Sequence, residues 1–102
     1  MFVRKIEDVE NIDRIPGVKN RLMYSPKEGA LTLITRIIEV EPHTTFPLHA
    51  HNWEHQGITL AGHGKLVGKD IELDMEPGGV HFVPANEPHS IVNRGNELYR
   101  AL

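Results

Sequence analysis

The sequence predicts a single all-β domain, a β-sandwich or small barrel, and three observations carry that reading. From residue 31 onward the chain divides into strand-length segments about eight to twelve residues apart, each ended by proline or glycine. No segment sustains the apolar periodicity of a helix over about 11 residues. The stretch Asp70-Ile71-Glu72-Leu73-Asp74-Met75 alternates acids with apolar side chains, the pattern of an antiparallel strand with one face buried.

Taken in order, residues 1–30 carry mixed charges broken by Pro16-Gly17, Pro26 and Gly29, and read as an N-terminal arm or short strand with loops. Residues 31–102 form the β-domain proper. Its first strand, Leu31 to Glu41, is rich in β-branched residues and is stopped by Pro42. Further strands are expected near 46–51, 55–61, 64–68, 70–75, 80–83, 89–93 and 97–101. They are separated by Gly62, Gly64, Pro77-Gly78-Gly79, Pro84, Pro88 and Gly95.

Composition narrows the function. Eleven Lys and Arg against 14 Asp and Glu give a formal charge of −3, with no basic cluster, which argues against a nucleic-acid partner. No run of about 18 apolar residues is present to span a membrane. The N-terminus is charged within its first residues and lacks the apolar stretch of a signal peptide, so a cytoplasmic location is expected. The chain has no cysteine and seven histidines, so any metal site must use nitrogen and oxygen ligands.

Four histidines fall between positions 49 and 63. His49 and His51 lie two apart, which on a strand puts both imidazoles on one side about 7 Å apart. His55 joins them if the strand continues in phase, or if the chain bends at Asn52-Trp53. Three imidazoles within seven residues, flanked by Phe46, Leu48 and Trp53, point to metal chelation, because solvated strand faces favour Lys, Glu and Thr instead.

These residues resemble the cupin family. The first cupin motif runs Gly, five residues, His-x-His, three or four residues, Glu, six residues, Gly. Here His49-Ala50-His51-Asn52-Trp53-Glu54-His55 is followed after six residues by Gly62, with His55 where the family has glutamate and Gln56 as the weaker alternative. The second motif runs Gly, five residues, Pro-x-Gly, two residues, His, three residues, Asn, matched by Gly78, Pro84, Asn86, His89 and Asn93. Asn86 replaces a glycine but tolerates the left-handed conformation that such a turn demands. His43 stands at the opening glycine of the first motif and Gly79 where many cupins have aspartate.

The resemblance is closest to small cupins with a four-histidine site. It implies an antiparallel jelly-roll barrel and a metal held by His49, His51, His55 and His89. It also implies a homodimer, with the arm of residues 1–30 packing on the barrel or on the partner. The implied cofactor is a divalent transition metal, manganese first, with Fe, Ni, Zn, Co or Cu as alternatives.

Four neutral imidazoles would leave the charge of such an ion uncancelled, so the site is expected to attract a small anionic molecule. Two open positions on an octahedral ion would admit water, oxygen, or a dicarboxylate, enolate or 1,2-diol. Trp53, Glu54, Gln56 and Phe46 are the pocket candidates; alternation aims Glu54 and Gln56 away from the ligands, while Trp53 and Phe46 wall the pocket or fill the core, core filling being the first reading for Phe46. His43, His63 and His81 read as incidental. The function implied is oxygenase, decarboxylase or isomerase chemistry on a small anion, diol or enol. The alternative is a non-catalytic binding or sensing barrel in which the metal is mainly structural.

Overall fold

The computed structural model describes all 102 residues. It contains nine strands: β1 (Val18–Tyr24), β2 (Thr35–Val40), β3 (Thr44–His49), β4 (His55–Ala61), β5 (Gly64–Val67), β6 (Glu72–Met75), β7 (Val80–Val83), β8 (His89–Asn93) and β9 (Tyr99–Ala101). Short 3-10 turns occupy Ile6–Asp8 and Pro26–Glu28. All strand pairings are antiparallel, in a five-stranded sheet ordered β1-β2-β9-β4-β7 and a four-stranded sheet ordered β3-β8-β5-β6. The fold is therefore the all-β antiparallel sandwich that the sequence predicts, and no helix is long and apolar enough to cross a membrane.

The two sheets meet over one core. Val18, Val40, Tyr99, Ala101 and Val83 come from the five-stranded sheet and Leu66 and Met75 from the four-stranded one, with Phe46 and Ile91 packed against them. Two buried polar groups join the layers. The Tyr99 hydroxyl bonds with Thr59 Oγ1 at 2.9 Å and contacts Met75 Sδ at 3.3 Å. Asn93, fully buried at the end of β8, donates its side-chain amide to the carbonyls of Val40 (2.9 Å) and Glu97 (2.8 Å) while its Oδ1 accepts from the Gly95 N–H. The motif asparagine thus ties one sheet to the other, and only an amide can donate and accept in that geometry.

The turns follow their residue chemistry. Gly62 takes φ 74, and a Cβ there would fall 2.2 Å from the Leu98 carbonyl oxygen. Asn86 adopts φ 66, as its place in the second motif predicts. His43 has φ 58, which explains why the family pattern prefers glycine there.

Two features differ from the sequence reading, and a third fills in its detail. β2 begins at Thr35, because Leu31, Leu33 and Ile34 stand out in solvent and pair with no neighbour. On β6 only Met75 is buried, while Ile71 and Leu73 are 55% and 49% exposed; β6 is an edge strand, and only its Met75 end reaches the core. Within residues 1–30, the segment Val18–Tyr24 is a full strand of the five-stranded sheet. The chain preceding it covers the sheet's outer face, where Val9, Met23 and Ile37 form a second small apolar cluster.

Candidate metal centre

Four histidines converge at the open end of the sandwich. His49 ends β3 directly across from His89, which begins β8, so antiparallel register alone brings their rings to 4.3 Å between centroids. His55 opens β4 on the other sheet, opposite Val83. His51 lies between β3 and β4, where the chain bends at Asn52-Trp53. The bend, and not a continued strand, is what returns His55 to His51, leaving their rings 4.3 Å apart. The second motif secures this loop, since the Asn86 N–H donates to the His51 carbonyl at 2.6 Å.

One nitrogen from each of the four rings lies within 4.8 Å of all the others. Their tautomers follow from hydrogen bonding. Nδ1 of His49, His51 and His89 faces the carbonyls of Pro47 (2.8 Å), Trp53 (2.9 Å) and Glu87 (2.8 Å). A carbonyl only accepts, so each Nδ1 carries the proton and each Nε2 presents a lone pair. Nε2 of His51 and Nε2 of His55 face one another directly. Burial, followed by the neighbouring His51 and Arg36, lowers His55 from 6.5 to about 4. Burial also lowers His89, outweighing the Glu87 carbonyl bond. Both imidazoles are therefore neutral at pH 7, and their lone pairs are free of protons.

Residues 36–102 match the Cupin domain family. This chain belongs to the cupin family. It is 31% identical to the polyketide cyclase RemF from Streptomyces resistomycificus, with a TM-score of 0.88 over 99% of this chain and 75% of that one. A predicted oxalate decarboxylase from Thermotoga maritima shares the fold at 22% identity and TM-score 0.78, over 98% of this chain and 94% of that one. KdgF from Halomonas sp. does so at 15% identity and TM-score 0.72, over 93% and 86%. A search of curated proteins finds no match.

The donor set of this cupin fits a divalent transition ion. Nitrogens bound on opposite sides of one ion at about 2.1 Å lie about 4.2 Å apart, so rings already within 4.8 Å need only a small closure. Backbone carbonyls hold three of the rings from behind, the arrangement that orients metal-binding histidines.

Of the pocket candidates, Trp53 stacks on His51 at 4.3 Å and 6° between planes, with its other face open to solvent. Phe46 is half-buried against the core, 5.0 Å from the His49 ring. Glu54 and Gln56 are exposed, and strand alternation places Gln56 on the face opposite His55. His63 lies in the β4–β5 turn in solvent, and His43 is likewise exposed.

His81 lies outside the four-histidine cluster, as expected, but it is half-buried and not on the surface. It shares the inward face of β7 with buried Val83 and lies over Gly57, where a Cβ would come within 2.6 Å of its ring. Burial, and then His89, lower its pKa below the ordinary value. Arg36 was missed; it shares the inward face of β2 with Ile38 and Val40 and makes no hydrogen bond or ion pair. Parity with the core residues two places along each strand is the signal that marks both.

Proposed function

We propose that this cupin is a metalloenzyme acting on a small anionic, enol or diol compound, with a divalent transition ion held by His49, His51, His55 and His89. The observation that carries the reading is the convergence of four imidazoles, three with Nδ1 committed to backbone carbonyls and Nε2 free. When bound, the ion supplies Lewis acidity toward a substrate oxygen. The chain's part is to fix four neutral donors, so that the positive charge stays available to an anion, and to keep the carboxylates of Glu54 and Glu87 outside the cluster. The likeness to RemF, named a polyketide cyclase, supports an enzymatic reading. Manganese is our first choice of metal.

We further propose a cytoplasmic homodimer. The exposed apolar side chains Val80 and Phe82 on the edge strand β7 support a self-association surface. Elemental analysis of protein purified without chelators tests the central reading. One equivalent of a divalent transition metal per chain is expected, with turnover in a screen of small carboxylates and enols under oxygen. Protein that takes up no such metal even after loading overturns it.

A further inference from the structure

The inward face of the five-stranded sheet carries polar groups that the four-histidine site does not use. In the whole chain, two buried side-chain polar atoms have no hydrogen-bond partner, Asn20 Oδ1 and His81 Nδ1. Both belong to this face, Asn20 on β1 in phase with core residue Val18 and His81 on β7 in phase with Val83. Arg36 lies on the same face, diagonal to Asn20 across the β1–β2 ladder, in which Asn20 pairs with Ile38 and Leu22 with Arg36. The other half-buried arginines, Arg4, Arg21 and Arg100, are each paired with a carboxylate, while Arg36 has none. Ala101 of β9 pairs with both Ile38 and Thr59, so Arg36 comes level with Gly57, two residues along β4 from His55.

Two orphaned polar atoms are costly to keep in a partly dry interior, and native chains satisfy such groups almost without exception; the half-buried Arg36 beside them has no partner in the chain either. Glycine at position 57 leaves room on this face, because the His81 ring occupies the place where a side chain would stand. Guanidinium is the group best shaped to hold a carboxylate through two parallel hydrogen bonds. His81 and Asn20 offer further donors and acceptors on either flank.

We propose that Arg36, with Asn20 on the adjacent strand and His81 farther along the same face on β7, forms a carboxylate-binding subsite on the barrel's inner wall, on the side of the four histidines. It sets the substrate class as a small carboxylic acid with a second oxygen group directed at the histidines. This rests on the metal-site reading for the second contact only. Arg36 determines specificity and takes no part in holding the metal.

Calorimetric titration with malonate tests the subsite, with the neutral malonamide as control, on protein loaded with Mn(II). Wild-type protein is expected to bind malonate and to discriminate strongly against malonamide. Arg36→Gln is expected to lose roughly tenfold or more in malonate affinity, the scale of a charge-assisted pair, with malonamide and metal content unchanged. Arg36→Lys keeps the charge without the fork and is expected to fall between the two. His81→Asn is expected to give a smaller loss in the same direction. Equal malonate affinity in wild type and Arg36→Gln, or no malonate binding by metal-loaded wild type, overturns the subsite. Absence of metal from wild-type protein overturns the metal reading instead, and malonate binding to that metal-free protein, lost in Arg36→Gln, would still support the subsite.

Discussion

The two faces of the five-stranded sheet treat charge in opposite ways. On the outer face, Glu39 is 5% exposed and is held by Arg21 at 3.0 Å and Arg100 at 2.7 Å, while Arg21 also donates to the carbonyls of Ile6 and Val9. Burial works to raise the Glu39 carboxyl, but the hydrogen bonds from Arg100 and Arg21 outweigh it and hold the group below its ordinary range. On the inner face three residues back along the same strand, Arg36 has no partner. Both are arginine chemistry on neighbouring strands. The outer arginines are satisfied by the chain itself and fasten the N-terminal segment to the sheet, whereas the inner one is left open toward the histidines. Paired charge here serves structure, and the unpaired charge is the one assigned to a ligand in the proposed subsite.

The largest effect expected from breaking this division is at the histidines. Replacing His51 and His89 together by Ala removes one donor from the loop and one from the four-stranded sheet, and is expected to abolish metal binding. Elemental analysis after loading and dialysis is the check, and full occupancy in the double variant sinks the ligand assignment. The outer-face counterpart is Glu39→Gln. It leaves Arg21 and Arg100 without their shared carboxylate and is expected to cost roughly 2–4 kcal/mol in urea unfolding, with metal content unchanged. A loss of metal in that variant would show that the two faces are not independent.

How much of this was legible beforehand depends on whether a residue's role is local or cross-strand. The clustering of His49, His51, His55 and His89 is legible because two motif-bearing turns, one closed by Gly62 and one shaped by Asn86, carry them at fixed spacings. The position of Asn93 was readable for the same reason, though its hydrogen bonds to Val40 and Glu97 were not. The inward placement of His81 and Arg36 is not legible in the sequence because it depends on register. His81 matters because β4 places Gly57 opposite it, and Arg36 because β1 and β2 turn its face inward. The strand from Leu31 was overextended because apolar residues there continue beyond the sheet's last pairing at Thr35.

A smaller effect separates the inner face by pH. His55 titrates near 4 in the folded chain against an ordinary value of 6.5, so between those values the unfolded chain binds more protons and stability rises with pH. Metal-free protein is therefore expected to lose stability as pH falls from about 6.5 to about 4. The loss is of order 1–2 kcal/mol once the partial exposure of the ring is discounted. Urea midpoints of chelator-treated protein across that window measure it, and His55→Gln is expected to flatten the curve. Stability indifferent to pH in the parent protein would contradict the burial that sets this shift.

The smallest expected change is the most discriminating. Arg36→Leu places an apolar side chain opposite Leu22 on a face already lined by Ile38 and Val40. Because Arg36 has no hydrogen bond or ion pair to lose, the substitution removes only the cost of holding a half-buried charge. Its unfolding free energy is expected to equal that of the parent or exceed it by up to about 1 kcal/mol. On the outer face the corresponding change, Arg21→Leu, breaks the Glu39 pair and two carbonyl contacts, and is expected to destabilise by at least about 1 kcal/mol. Two arginines of one sheet would then respond differently to the same substitution, one losing stability and the other not. If Arg36→Leu instead weakens the fold as much as Arg21→Leu does, Arg36 is a structural residue and the contrast between the two faces fails.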